Sequence, residues 1–249
     1  MKRLLEKKVC LVTGAAKGIG RAIVEKFASD GAIVYANDLL DSEMDEWAKA
    51  ISEKYETLVI PLYFDICDFI SVKQAIIHIK KEQGRMDVLV NNAGIVTYEM
   101  LSLIDLDKLR KMFEVNVIAA IHLMQLASKL MIRQKSGSII NMASIVGVRG
   151  AKGQLAYSAT KGAVVSMTKS ASKELSEYNI RVNAVAPGMV ATNRFLNEIS
   201  GRFEDKLDNV GMGRYATPEE IADAFSFFAS DRSQYVTGQV LGVEGSFVL

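Results

Sequence analysis

The stretch "VCLVTGAAKGIGRAIVEKF", Val9 to Phe27, decides the fold. Val9–Thr13 is apolar nearly throughout, the pattern of a strand covered on both faces. Three glycines follow, Gly14, Gly18 and Gly20, and from Gly18 the pattern turns helical. A strand that bends sharply through glycines into a helix lets the backbone approach a pyrophosphate, whose charge then sits at the helix N-terminus. The spacing is G-x-x-x-G-x-G, and a glycine turn alone also serves any tight turn. Context adds weight: an acid, Asp38, ends the second strand 20 residues after Gly18.

The alternation continues along the chain. Apolar runs at 32–37, 58–64, 87–91, 138–143, 181–186 and 239–244 read as further strands. Helical patterns cover about 18–30, 42–54, 68–83, 105–133, 155–177 and 218–230. Strand–helix alternation of this kind specifies an α/β fold, a doubly wound parallel sheet with helices on both faces. Neither linker nor repeat interrupts it, so residues 1–249 read as one domain. Asp105 is placed to cap the fourth helix, Thr217-Pro218-Glu219-Glu220 to open the last, and Asp41 or Ser42 to cap the second. The fourth helix, around "FEVNVIAAIHLMQLA" (113–127), is apolar over most of its circumference and calls for cover on both sides, the second of them from another subunit.

Composition excludes several functions. With 30 Lys plus Arg against 29 Asp plus Glu, and no long block of like charge, no nucleic-acid partner is expected. Two cysteines without motif spacing fit a reducing compartment, and two histidines are too few for a His/Cys metal site, so no metal is expected. Glu6, Lys7 and Lys8 interrupt the apolar N-terminus and no unbroken apolar span of 18 residues occurs, so no membrane partner and a cytoplasmic location are expected.

Asp38 bears on the dinucleotide. A carboxylate there accepts hydrogen bonds from the adenosine ribose hydroxyls and repels a 2′-phosphate. Lys17, in the glycine turn, opposes it, because a cation there can pair with that phosphate. Direct repulsion at short range favours NAD(H), with NADP(H) the alternative.

"AYSATKG" (156–162) places Tyr157 and Lys161 four residues apart on one helix face. Alone, such a pair reads as a solvated surface feature. In company it does not. "TGAAKGIG" (13–20), "NNAG" (91–94), Asn116, Ser144, Tyr157-x-x-x-Lys161 and "PG" (187–188) stand in the order and spacing of the short-chain dehydrogenase/reductases, which the chain resembles from Lys8 to Val243. The resemblance implies a Rossmann fold and a hydride transfer between a nicotinamide and a secondary alcohol or ketone. It implies Tyr157 as general acid/base and Lys161 as the cation that tunes it and holds the nicotinamide ribose. Ser144 orients the substrate oxygen, and Asn116 perturbs its helix and holds a water leading to the lysine. The chemistry is coherent: a free tyrosine, with a pKa of about 10, needs a neighbouring cation to work near neutrality.

The resemblance also implies a cofactor lining of Gly14, Lys17, Gly18, Ile19 and Gly20, with Asp38 on the ribose and Asp65 and Ile66 at the adenine. Asn91, Asn92, Ala93 and Gly94 follow on the adenine-ribose side. Pro187, Gly188, Val190 and Thr192 meet the nicotinamide. Residues 189–212 cover the substrate, and the subunits form a homotetramer.

Within the family the chain resembles the 3-oxoacyl-[acyl-carrier-protein] reductases through "GAKGQLAYSATK" (150–161) and "PGMVAT" (187–192). Such reductases usually take NADPH, which Asp38 opposes, so a small-molecule alcohol or ketone is the leading expectation and the NADPH-dependent acyl reductase the alternative. A non-catalytic dinucleotide sensor is the third reading; the presence of Tyr157, Lys161, Ser144 and Asn116 together opposes it.

Overall fold

The computed structural model describes residues 3–193, 195 and 204–247. Seven parallel strands form one sheet: β1 (Val9–Thr13), β2 (Ile33–Asp38), β3 (Val59–Tyr63), β4 (Val88–Asn91), β5 (Gly137–Met142), β6 (Ile180–Pro187) and β7 (Val240–Val243). Their order is β3-β2-β1-β4-β5-β6-β7. The chain runs outward from β1 to β3, then returns to place β4 on the other side of β1. That reversal opens a crevice beyond the carboxyl ends of β1 and β4, where sheets of this kind bind ligands.

Strand periodicity builds the two core layers. Along β1, Cys10 and Val12 face one layer while Val9 and Leu11 face the other. The first layer is completed by α1 (Gly18–Ser29), α2 (Asp45–Tyr55) and α8 (Pro218–Ala229), through residues such as Ile23, Phe27, Phe225 and Phe228. α3 (Phe69–Gln83) and α5 (Ala119–Gln134) complete the second, through Ile76, Ile79, Leu123 and Leu130. Phe27 is fully buried between α1 and the sheet. Its truncation to alanine costs about 3–5 kcal/mol, enough to unfold a marginal domain.

Two of the three helix starts read from sequence carry the expected cap. Asp105 accepts from Asp107 and Lys108 N–H at the start of α4 (Leu106–Phe113), and Asp68, which the sequence reading did not name, caps α3 by accepting from Ile70 and Ser71 N–H. Thr217 and Glu220 form a reciprocal capping box. At α2, however, Asp41 and Ser42 do not cap. They lie in a separate 3-10 turn, Leu40–Ser42, and the helix starts after Met44. Met44 N–H donates instead to the Tyr63 hydroxyl of β3 at 2.8 Å, so a tertiary partner replaces the local cap.

α4 and α5 are not one uniform helix. Glu114–Ile118 forms a π turn between them, closed by Ala119 N–H donating to the Glu114 carbonyl. The combined run, Leu106–Gln134, is long and apolar enough to cross a bilayer, yet half of its most apolar window is buried against the rest of this fold. Ile118 and Ile121 stay 44% and 46% exposed on its outer side. The remaining elements near the crevice are α6 (Ile145–Arg149) and α7 (Leu155–Leu175). Of the substrate cover expected at 189–212, residues 194 and 196–203 lie outside the described residues.

Candidate active site

The glycine turn is built partly for its own packing. Gly14 and Gly18 have φ of +65° and +57°, the left-handed region. A Cβ on Gly14 would fall 2.8 Å from Ala93 Cα, and one on Gly20 would fall 1.9 Å from the Gly14 carbonyl oxygen. Those two positions demand glycine whether or not a ligand binds. Gly18 differs: its Cβ would meet only Thr192, at 3.4 Å. Gly18 and Thr192 thus approach each other closely at the carboxyl ends of the strands.

Thr13 and Asn92 clamp this turn to the end of β4. The Thr13 hydroxyl donates to the Val90 carbonyl and accepts from Asn92 and Ala93 N–H. Asn92 Nδ2 donates to the carbonyls of Thr13 and Gly14 at 2.8 and 2.9 Å. The Asn92 side chain therefore holds the wall from behind. Asn91 turns into the core and donates to Asn141 Oδ1, so its side chain does not line the groove. Ile66 and Val190 are also buried in the core layers, which leaves their backbone as the part available to a ligand. Asp65 is exposed and accepts from Cys67 N–H. Ala93, Gly94 and Gly188 sit at the carboxyl ends of the strands with backbone at least partly open, and Ile19 is part-buried in the first turn of α1.

Asp38 reaches back over the turn. Its Oδ2 accepts from Ala16 N–H and its Oδ1 from Leu39 N–H, each at 2.9 Å. Both hydrogen bonds fix the orientation of the carboxylate beside the glycine turn. Lys17 is exposed at the N-cap of α1, next to Ala16.

The second half of the site lies on α7. Tyr157 is its third residue, so the partial positive charge of the helix N-terminus acts on the ring that carries the phenol. Lys161, one turn on, is only 3% exposed, and its Nζ sits 5.7 Å from the centre of the Tyr157 ring. Nζ donates to the Met142 carbonyl at the end of β5, at 2.6 Å. Burial lowers the lysine pKa to about 8. It remains mostly a cation at neutral pH.

Ser144 follows β5 in extended backbone and precedes α6, and its hydroxyl makes no cap hydrogen bond to that helix. Close approach brings α6 onto α7: a Cβ on Gly147 would lie 2.6 Å from both the carbonyl carbon and the Cβ of Lys161. Gly147 therefore couples the Ser144 segment to the Tyr157 helix.

Asn116 occupies the π turn. Its Oδ1 accepts from Ile95 N–H at 2.8 Å and its Nδ2 donates to the Ile95 carbonyl at 2.9 Å and to Thr160 Oγ1 at 3.1 Å. The side chain is committed to protein partners, and the helix distortion expected at this residue is present as the extra-residue turn. A Cβ on Gly94 would come 3.1 Å from Asn116 Oδ1 and 3.6 Å from Lys161 Nζ, so glycine keeps the space between amide and ammonium open.

Sequence reasoning missed Thr13, Gly147 and Thr160. Thr160 was legible in principle, since a threonine one residue before Lys161 can return its hydroxyl to the carbonyl three residues back, here Tyr157 at 2.9 Å. Gly147 and Thr13 act through contacts distant in sequence, which no local pattern announces.

The glycine turn and the tyrosine–lysine helix thus both lie at the carboxyl ends of the strands. A family model described as enoyl-(acyl carrier protein) reductase matches residues 14–247. The chain is 40% identical over 245 residues to the 3-oxoacyl-[acyl-carrier-protein] reductase FabG of Thermotoga maritima, covering 98% of this chain and 99% of that one. It is 36% identical to a 3alpha-hydroxysteroid dehydrogenase of Mediterraneibacter gnavus, covering 99% of each. Among solved structures, L-sorbose reductase from Gluconobacter frateurii, complexed with NADPH and L-sorbose, superposes with a TM-score of 0.92 at 29% identity, over 100% of this chain and 99% of that one. The chain belongs to the short-chain dehydrogenase/reductase family and is an oxidoreductase acting on alcohol or keto groups.

Proposed function

We propose that this enzyme interconverts a small secondary alcohol and its ketone, with NAD(H) as the preferred dinucleotide. The observation that carries the reading is Lys161, buried yet cationic, set 5.7 Å from the Tyr157 ring at the carboxyl end of the sheet. The groove fits a dinucleotide: the wall at Gly18 has no side chain, and the α1 N-terminus faces the space where a pyrophosphate charge is stabilised. When bound, the dinucleotide supplies or accepts the hydride.

In reduction, Tyr157 gives its proton to the carbonyl oxygen, and in oxidation it takes the alcohol proton back. Lys161 and the α7 N-terminus stabilise the phenolate left in the first case and required in the second. The Ser144 hydroxyl donates to the substrate oxygen and aims the carbonyl. Asn116 keeps the π turn and the opening at Gly94, through which a water or ribose hydroxyl reaches Lys161.

Asp38 supports NAD(H), since a carboxylate oriented by two backbone N–H groups repels a 2′-phosphate at close range. The second reading is an NADPH-dependent 3-oxoacyl reductase, favoured by the 40% identity to FabG and by the exposed Lys17 beside the groove. Oxidation of NADH and NADPH with acetoacetyl-CoA, with Tyr157→Phe as control, separates the two. Tyr157-dependent turnover with NADPH selects the acyl reductase. Lack of turnover on the thioester, with NADH-dependent turnover on simple ketones, selects the first reading. Full activity in Tyr157→Phe removes both and leaves a different general acid to find.

The same reading takes residues 1–249 as one catalytic domain, residues 189–212 as the substrate cover and the cytoplasm as its compartment. It also takes the protein as a homotetramer, with exposed Ile118 and Ile121 of the long helix against a second copy.

A further inference from the structure

α6 follows Ser144 directly and is only five residues long, Ile145–Arg149. A helix of that length has no stability of its own and takes its place from what it is tied to. Two ties hold it. At its middle, Gly147 sits against Lys161 of α7. At its end, Arg149 reaches the C-terminal tail, where Nη1 donates to the Phe247 carbonyl and Nη2 to Glu244 Oε1, the latter at 2.7 Å. One close contact leaves a short helix free to turn about it. A second at the far end fixes the rotation, and with it the direction of Ser144.

The tail is built to be held there. After β7 the chain bends through Gly245 and Ser246, both with φ of +60°. Serine in the left-handed region is strained and persists where its surroundings over-determine it. Gly211 N–H donates to the Ser246 carbonyl at 3.2 Å, Met212 N–H to the Gly245 carbonyl at 3.0 Å, and Val210 and Phe247 form an antiparallel bridge. The bend carries Phe247, 4% exposed, into an apolar cluster with Ile145, Val146 and Val210, against which Tyr157 packs. That cluster joins four pieces distant in sequence: the residues after Ser144, the start of α7, the segment at 210 and the tail. Charge strengthens the tie. The second oxygen of Glu244 is closed to solvent and unpartnered, so among the described residues Arg149 alone balances this carboxylate. A pair of this kind is costly to break from one side.

We propose that Arg149 is a positioning residue for the reaction: by tying the end of α6 to the C-terminal tail, it sets the Ser144 hydroxyl relative to the Tyr157 phenol. It acts through Ser144 and not on the substrate. The proposal rests on the reading of Tyr157 as the general acid and of Ser144 as the group that aims the substrate oxygen.

The test compares wild type with Arg149→Met, which breaks both bonds, and Arg149→Lys, which keeps the charge but lacks the fork that holds two acceptors at once. Single-turnover oxidation of NADH or NADPH by acetoacetyl-CoA or 2-butanone, with enzyme in excess over dinucleotide, gives a rate constant that does not depend on the folded fraction. It should fall by about tenfold or more in Arg149→Met and recover in part in Arg149→Lys. Hydrogen exchange of the same proteins needs no turnover. Amides of 144–150 and 208–214 should exchange about tenfold faster in Arg149→Met, and those of α1 at the wild-type rate. A rate constant within about twofold of wild type, in an enzyme that Tyr157→Phe inactivates, overturns the Arg149 assignment and leaves the Tyr157 reading standing. Exchange that quickens equally in α1 makes the arginine a general stabiliser and overturns the assignment too. Turnover that is absent in wild type, or that survives Tyr157→Phe, removes the Tyr157 reading, and the exchange pattern then decides the tie on its own.

Discussion

Lys161 Nζ donates to the Met142 carbonyl at 2.6 Å from a place closed to solvent, and the cost of that burial appears in its pKa of about 8. The unfolded value is near 10.5, so the unfolded chain holds more protons between the two. Stability from this group therefore rises as pH climbs from about 8 to about 10.5, and below about 8 the full penalty is present.

Lys161→Met removes that penalty and should raise stability at pH 7 by about 1–3 kcal/mol, the upper end set by the size of the shift and the lower by the lost bond to Met142. Turnover should fall by orders of magnitude. Urea melts of both proteins at pH 7 and 9.5 check the sign: the gap between them should shrink by about half or more at the higher pH. A variant less stable than wild type at both values would contradict the burial argument.

Asp38→Ala should move the cofactor preference. Removing the carboxylate ends the repulsion of a 2′-phosphate and leaves Lys17 to attract it, so the NADPH-to-NADH ratio of kcat/KM should rise at least tenfold. Ala16 and Leu39 N–H lose their acceptor as well, at a cost of about 1 kcal/mol. Kinetics with both dinucleotides measure the first effect and thermal melts the second. An unchanged ratio would put the selector elsewhere.

Gly147→Ala tests the coupling of Ser144 to Tyr157. The added methyl meets Lys161 backbone, which cannot yield as a flexible side chain does. Overpacking of this kind costs about 1–3 kcal/mol. Displacing the reacting groups by about 1 Å should lower kcat by about a hundredfold. The dissociation constant for NADH, read by fluorescence titration, separates this loss from any effect that Lys161 passes to the bound dinucleotide.

The fold was legible because its signals are local. Unbroken apolar strands, glycines at a strand-to-helix bend and acids at helix starts all act within a few residues. Tyr157 and Lys161 stand one helical turn apart, a spacing that alone reads as a surface pair; their role was suggested by the company of the other motifs. What stayed hidden depends on contacts across the chain. The α2 start is served by Tyr63 from β3, and Gly147 matters only because Lys161 lies opposite it. Asn91 and Asn92 illustrate the limit well: adjacent and identical, one enters the core while the other clamps the glycine turn. Strand alternation sends them to opposite sides, but which side holds the groove is decided by the sheet order.

Asn116→Leu separates a packing role from a polar one. Leucine has the branched shape of asparagine, with two methyl groups in place of the amide oxygen and nitrogen, and forms helix readily, so shape and propensity alone predict a small effect. The hydrogen bonds predict otherwise. Ile95 loses partners for both its N–H and its carbonyl, and Thr160 loses the donor that its hydroxyl accepts from. Two backbone groups left unpaired in a part-buried place should destabilise the protein by about 2–4 kcal/mol. Released from the π turn, the 95–116 contact should also loosen the opening at Gly94 beside Lys161. Denaturant melts give the stability, and the pH profile of kcat/KM reads the lysine's surroundings. A variant as stable as wild type, with an unaltered profile, would mean that Asn116 only fills space.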